Sequence, residues 1–180
     1  WARHVTLTFF LCSQKEYREQ SLPAFRRLAC CLFDLAAFLP CFLGLLKGLS
    51  DDGKAEIGHL ATALKGLDIN ASVIWHSGKA RAQQTAEIFE RYLAPPEGIR
   101  QRAGLKPLDD AATLAEALEL KRDWMLVSHL PLMERLTSCL IIGKPTPTIF
   151  RFQNSGILCI DEDPRDQMAV IKWALMPNIG

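Results

Sequence analysis

In "WHSGKARAQQTAEIF", residues 75–89, Arg81 follows the small polar turn Ser77-Gly78 and stands at the start of a helical pattern. A helix N-terminus already carries partial positive charge, so a cation in the first turn is unfavourable unless an anion sits between them. A second segment, "WMLVSHLPLMERL", residues 124–136, ends an apolar run at Ser128 and puts His129 just ahead of Pro131 and another helical pattern. If the two strands lie close in one sheet, both junctions open on the same crevice, where helix N–H groups favour an anion. Arginine grips phosphoryl oxygens through two parallel N–H bonds, and imidazole changes protonation near neutral pH.

Each residue also has a plainer reading. Arg81 could face solvent or pair with Glu87 or Glu90, and His129 could be a hydrogen-bonded strand-end histidine. His76 borders the same crevice or is a turn residue, and His59 falls among the polar positions of a helix, where solvation is expected.

The elements that must position these groups read as an α/β pattern from Leu49 onward. Ser50 precedes "DDGKAEIGHLATALK", where Ile57, Leu60, Ala61 and Leu64 recur at helical spacing, so Ser50 is the expected N-cap. A helix from about Lys79 carries Ala82, Ala86, Phe89 and Leu93 on one face and stops at "APPEG". "TLAEALEL" reads as a third helix, and "LPLMERLTSCLI" as a fourth with Pro131 in its first turn. Strands are expected at 72–75, 124–128, 157–160 and 168–174, the last two as a hairpin across "DEDPRDQ". Strands alternating with helices predict a three-layer α/β/α sandwich with a mostly parallel sheet.

Composition narrows the function. The 180 residues suit one domain, and 21 basic against 20 acidic residues give a net charge of +1, too small a field to draw nucleic acid. The six cysteines include no CxxC pair, which fits a reduced cytoplasmic setting without a metal. No convincing secretory signal is present. Residues 28–46, "LACCLFDLAAFLPCFLGLL", approach the length of a membrane span, but Asp34 and Pro40 interrupt them. A helix that does not span the bilayer is the favoured expectation, with membrane contact as the alternative.

Four ordered segments, "LSDDGKAEI", "HSGKARAQQTAEIF", "MLVSHLPLMERL" and "KWALMP", together resemble the histidine phosphatase superfamily, and within it the small SixA-type protein-histidine phosphatases. The resemblance covers about residues 49–178. It implies a phosphoglycerate mutase-like fold and removal of phosphate from a histidine-phosphorylated signalling or phosphotransfer protein, with no cofactor. In that family a histidine of an N-terminal "RHG" motif becomes a phosphohistidine, while its arginine, a second arginine and a second histidine hold the phosphoryl oxygens. Residue by residue, the resemblance makes Arg81 the second arginine and His129 the second histidine. A phosphohistidine substrate asks little of a general acid, because protonated imidazole leaves readily. Asp109 and Asp110 are candidates for that role, with helix capping as the competing use.

The N-terminus departs from the family pattern. Its sole Arg-His dipeptide is Arg3-His4 in "WARHVTL", with Val5 where glycine is expected and 44 residues between His4 and Leu49. A β-branched residue resists the tight turn that glycine permits. Either "WARHVTLTFF" is a divergent first strand, with Arg3 and His4 catalytic and an insertion behind it, or residues 1–48 are foreign to a domain spanning 49–180. A misplaced start or wrong reading frame would produce the second, and the composition shift near residue 48 favours it. The protein would then be a non-catalytic phosphate- or phosphoprotein-binding relic.

Overall fold

A computed structural model describes residues 4–9, 48–67 and 69–177. In chain order the elements are β1 (His4–Phe9), α1 (Asp51–Gly66), β2 (Val73–His76), α2 (Ala80–Leu93) and β3 (Ile99–Gln101). They continue with α3 (Ala111–Glu116), β4 (Trp124–Ser128), α4 (Leu132–Ile142), β5 (Ile157–Glu162) and β6 (Ala169–Leu175).

The six strands form one sheet in the order β3-β2-β4-β1-β5-β6. The first four in that order run parallel, while β5 and β6 are antiparallel additions to the β1 edge. Alternation along the strands separates two cores. Ile74, Met125 and Val127 meet α1 and α2 with Ile57, Leu64 and Phe89; Leu126 meets α3 and α4 with Leu114, Met133 and Leu136. Both faces are thereby covered, which is why β2 and β4 read as apolar runs. The architecture is the three-layer α/β sandwich expected from the sequence.

Local chemistry explains the helix ends. Ser50 caps α1, its hydroxyl accepting from the Gly53 N–H at 3.1 Å, and Asp51 and Asp52 add negative charge in the first turn. The helix α2 ends at Ala94, with a left-handed φ of 45° ahead of Pro95. Pro131 occupies the N-cap position of α4 rather than its first turn. The third helix is shorter than its pattern suggested, ending at Glu116 with a 3-10 turn at Leu120–Arg122 beyond it. The parallel edge strand β3 has no counterpart among the expected strands.

Residues 4–9 are the fourth strand of the sheet in spatial order, hydrogen-bonded to β4 on one side and β5 on the other. Of residues 1–48, residues 4–9 thus supply one strand of the sheet. The expected helix at 28–46 lies outside the described residues. Among the described residues no helix is long and apolar enough to cross a membrane.

Candidate functional site

The carboxyl ends of β2 and β4 are neighbours, since His76 pairs with Val127 in the parallel ladder. Each strand then runs into a turn and a helix, so the two junctions open on the same edge of the sheet, as a doubly wound fold arranges its ligand crevice. Their side chains meet: Ser77 Oγ lies 3.1 Å from His129 Nε2, and both residues are buried. Arg81 follows four residues after Ser77, half-buried in the first turn of α2.

The turn between Ser77 and α2 depends on Gly78. Its φ of +80° is a left-handed conformation, and a Cβ there would stand 2.5 Å from Gln101 Nε2 on the end of β3. Glycine alone satisfies both constraints without strain. The Gly78 N–H donates to His76 Nδ1 at 3.2 Å, so the His76 ring folds over its own turn. Burial lowers the His76 pKa below the ordinary imidazole value, against a smaller opposing pull from Glu87.

The start of α2 is electropositive. Lys79 is its N-cap residue and makes no side-chain cap hydrogen bond; no acidic residue occupies the first turn, and Arg81 adds a second cation. Helix dipole and side chains carry the same sign, an arrangement that an external anion would relieve.

Neighbouring groups serve the scaffold. Ser128 donates to the Leu105 carbonyl, tying the end of β4 to the loop after β3. Asp109 accepts from the Lys106 N–H, and Asp110 caps α3 through the Ala112 and Thr113 N–H groups. Both carboxylates suggested by the sequence thus have structural employment. A cavity of about 500 Å³ lies beside this loop, lined by Arg102, Lys106, Asp110 and Thr113 among others, and neither Arg81 nor His129 borders it. Arg102, one of the lining residues, lies over the Trp75 and Trp124 rings, 5.7 and 5.1 Å from their centroids. His59 is exposed on α1, as its pattern suggested.

His4 is placed elsewhere. It begins β1 opposite Asp161, whereas the far end of the same strand, Phe9, pairs with Ser128. Five residues of extended strand put roughly 17 Å between the His4 backbone and the Ser128 end of the sheet. Arg3 immediately precedes this strand and lies outside the described residues. The structure therefore brings together the junctions carrying Arg81 and His129, and leaves His4 at the opposite edge. Sequence reasoning did not single out Ser77, although its hydroxyl next to Gly78 was the available signal.

No family model matches the sequence, and comparison with curated protein sequences finds no match either. Solved structures do match. The protein histidine phosphatase SixA complexed with tungstate superposes with a TM-score of 0.66 at 20% identity, covering 96% of this chain and 97% of that one. A mycobacterial glucosyl-3-phosphoglycerate phosphatase bound to inorganic phosphate gives 0.62 at 14% identity, covering 99% and 100%. A phosphoserine phosphatase mutant from Entamoeba histolytica in complex with phosphoserine gives 0.56 at 17% identity, covering 94% and 96%. With β1 central, helices on both faces and likeness over nearly the full length of each chain, the protein has the fold of the histidine phosphatase superfamily, SixA-type phosphatases included.

Proposed function

We propose that this protein is a phosphohistidine phosphatase, acting on a histidine-phosphorylated signalling or phosphotransfer protein. The observation that supports it most is the meeting of two strand-to-helix junctions through Ser77 and His129, with Arg81 at the adjoining electropositive helix start. A phosphoryl group there would take bidentate hydrogen bonds from the Arg81 guanidinium and a further bond from His129, donors preorganised for charge that develops during transfer. The leaving imidazole needs little acid assistance, so the structural engagement of Asp109 and Asp110 is compatible with turnover.

A second reading, binding of a phosphoprotein without turnover, is favoured by the position of His4 at the wrong end of β1 for attack on a phosphoryl group beside His129. The two are separated by mixing the protein with a phosphohistidine-bearing phosphotransfer protein and following inorganic phosphate. Multiple turnovers that Arg81→Ala suppresses support the phosphatase. Retention of the phosphoprotein without phosphate release supports the binding reading, and neither binding nor release refutes both.

A further inference from the structure

The segment that follows β3 is fastened to both junctions of the crevice. The Arg102 N–H donates to the His76 carbonyl at 3.0 Å, one residue before Ser77, and Ser128, one residue before His129, donates to the Leu105 carbonyl. Residues 102–106 therefore border the crevice on its β3 side, and the cavity of about 500 Å³ that they help to line lies next to the place assigned to the phosphoryl group. We propose that this cavity takes a carboxylate side chain of the substrate phosphoprotein, an aspartate or glutamate near the phosphohistidine, through Arg102 and Lys106. The inference rests on the phosphatase reading for the identity of the partner and adds a second point of contact with it.

The first observation is a pair of uncompensated cations. The half-buried Arg102 guanidinium lies over the Trp75 and Trp124 rings and donates to the Ala117 carbonyl at 3.3 Å. Among the described residues neither Arg102 nor Lys106 forms an ion pair, whereas Arg100, Lys121 and Arg122 each have a carboxylate partner. Burial holds the Arg102 pKa below the ordinary arginine value. A guanidinium in that setting is a desolvated charge that a ligand carboxylate would offset, and its planar fork matches two carboxylate oxygens.

The second is preorganisation. Two indole faces and the Ala117 bond already hold the guanidinium, so little side-chain freedom is left to lose on binding. The rest of the loop is held as well, because Arg135 donates to the Pro107 and Asp109 carbonyls at 3.0 and 3.1 Å.

The third is the state of the two acids in the lining. Asp109 accepts from the Lys106 N–H, and Asp110 accepts from the Ala112 and Thr113 N–H groups and the Thr113 hydroxyl. Their charge is met by donors of the loop and of α3, and that of the two cations is not. With two cations set against two acids the lining is formally neutral, which suits a single carboxylate better than a second phosphoryl dianion.

The test uses the full chain and two short acetylated and amidated peptides with a central histidine, flanked by glutamates in one and by glutamines in the other. Each is used with and without phosphate on the histidine. Affinity is read from the ¹⁵N resonances of Arg102 Nε and of the Trp75 and Trp124 indoles, and turnover from phosphate release. The unphosphorylated glutamate peptide is expected to bind about tenfold more tightly than its glutamine counterpart, and the phosphorylated pair to differ by a similar factor in kcat/KM. High salt is expected to narrow the ratio. Arg102→Gln should bring it within about twofold while keeping the parent's affinity for inorganic phosphate. Lys106→Glu, at an exposed position, should abolish the preference too, and it decides the matter if circular dichroism shows Arg102→Gln unfolded. Equal binding of the two peptides, or a preference that survives in Lys106→Glu and in folded Arg102→Gln, overturns the proposal. Saturation of these resonances by glutarate with no peptide preference assigns the cavity to a small dicarboxylate and overturns it as well. A glutamate preference without phosphate release sustains the carboxylate site while defeating the phosphatase reading; phosphate release at equal rates from both peptides does the reverse.

Discussion

The N-termini of α1 and α2 answer the same electrostatic problem in opposite ways. At α1, Ser50 caps a backbone N–H, Asp51 and Asp52 offset the helix dipole, and the Asp51 carboxyl is held below its ordinary pKa by its hydrogen bond and charge pairing with Lys54. At α2 the N-cap is Lys79 with no side-chain cap bond, the first turn lacks an acid, and Arg81 adds positive charge. One end is satisfied by its own sequence; the other is suited to an anion that the chain does not supply from its first turn. A locally unfavourable choice, made by two cations beside a buried Ser-His pair, is what the proposed phosphoryl binding would offset.

The largest expected effect comes from removing the Arg81 cation at the start of α2. Arg81→Ala should lower kcat/KM on a phosphohistidine-bearing protein by about a hundredfold, equivalent to roughly 3 kcal/mol of transition-state stabilisation. Thermal melting of the unliganded variant should stay close to the parent, and a large melting shift would return Arg81 to a structural role. The mirror experiment is Ser50→Ala. It should cost about 1 kcal/mol of stability in chemical denaturation and leave phosphate affinity unchanged.

Making α2 resemble α1 sharpens the contrast further. Lys79→Asp supplies both a cap and a first-turn acid, so it should stabilise the folded protein by about 0.5 kcal/mol while weakening inorganic phosphate binding. Stronger phosphate binding in this variant would contradict the electropositive reading of the junction. The smallest effect is a pH dependence. Burial lowers the pKa of His76 below 6.5, so the unfolded state takes up its proton more readily, and stability should fall as pH drops through 6.5. His76→Asn should lose that component of the acid slope between pH 7 and 5, measured by urea denaturation.

How much of this was legible in the sequence depends on the range of the interaction involved. The Ser50 cap is a contact three residues long, and the apolar faces of α1 and α2 are periodic, so both were readable. Arg81 and His129 were readable as unusual types at strand-to-helix junctions. The Ser77–His129 bond was not, because residues 52 apart meet only through the β2–β4 register. At three residues β3 is too short for a period, and it is partly or fully exposed. The place of His4 in the sheet was not readable either: a dipeptide match carries no polarity, and His4 opens β1, whose far end pairs with Ser128.

The central claim, that a phosphoryl group is held where β2 and β4 end, is tested most directly by titrating the ¹⁵N-labelled protein with inorganic phosphate and following its amide and side-chain resonances. The account predicts saturable shifts at Ser77 to Ala82, at the Arg81 guanidinium and at His129, with His4 unmoved and the response lost in Arg81→Ala. Shifts centred on His4, or a response at the β2–β4 end that Arg81→Ala leaves intact, would contradict it.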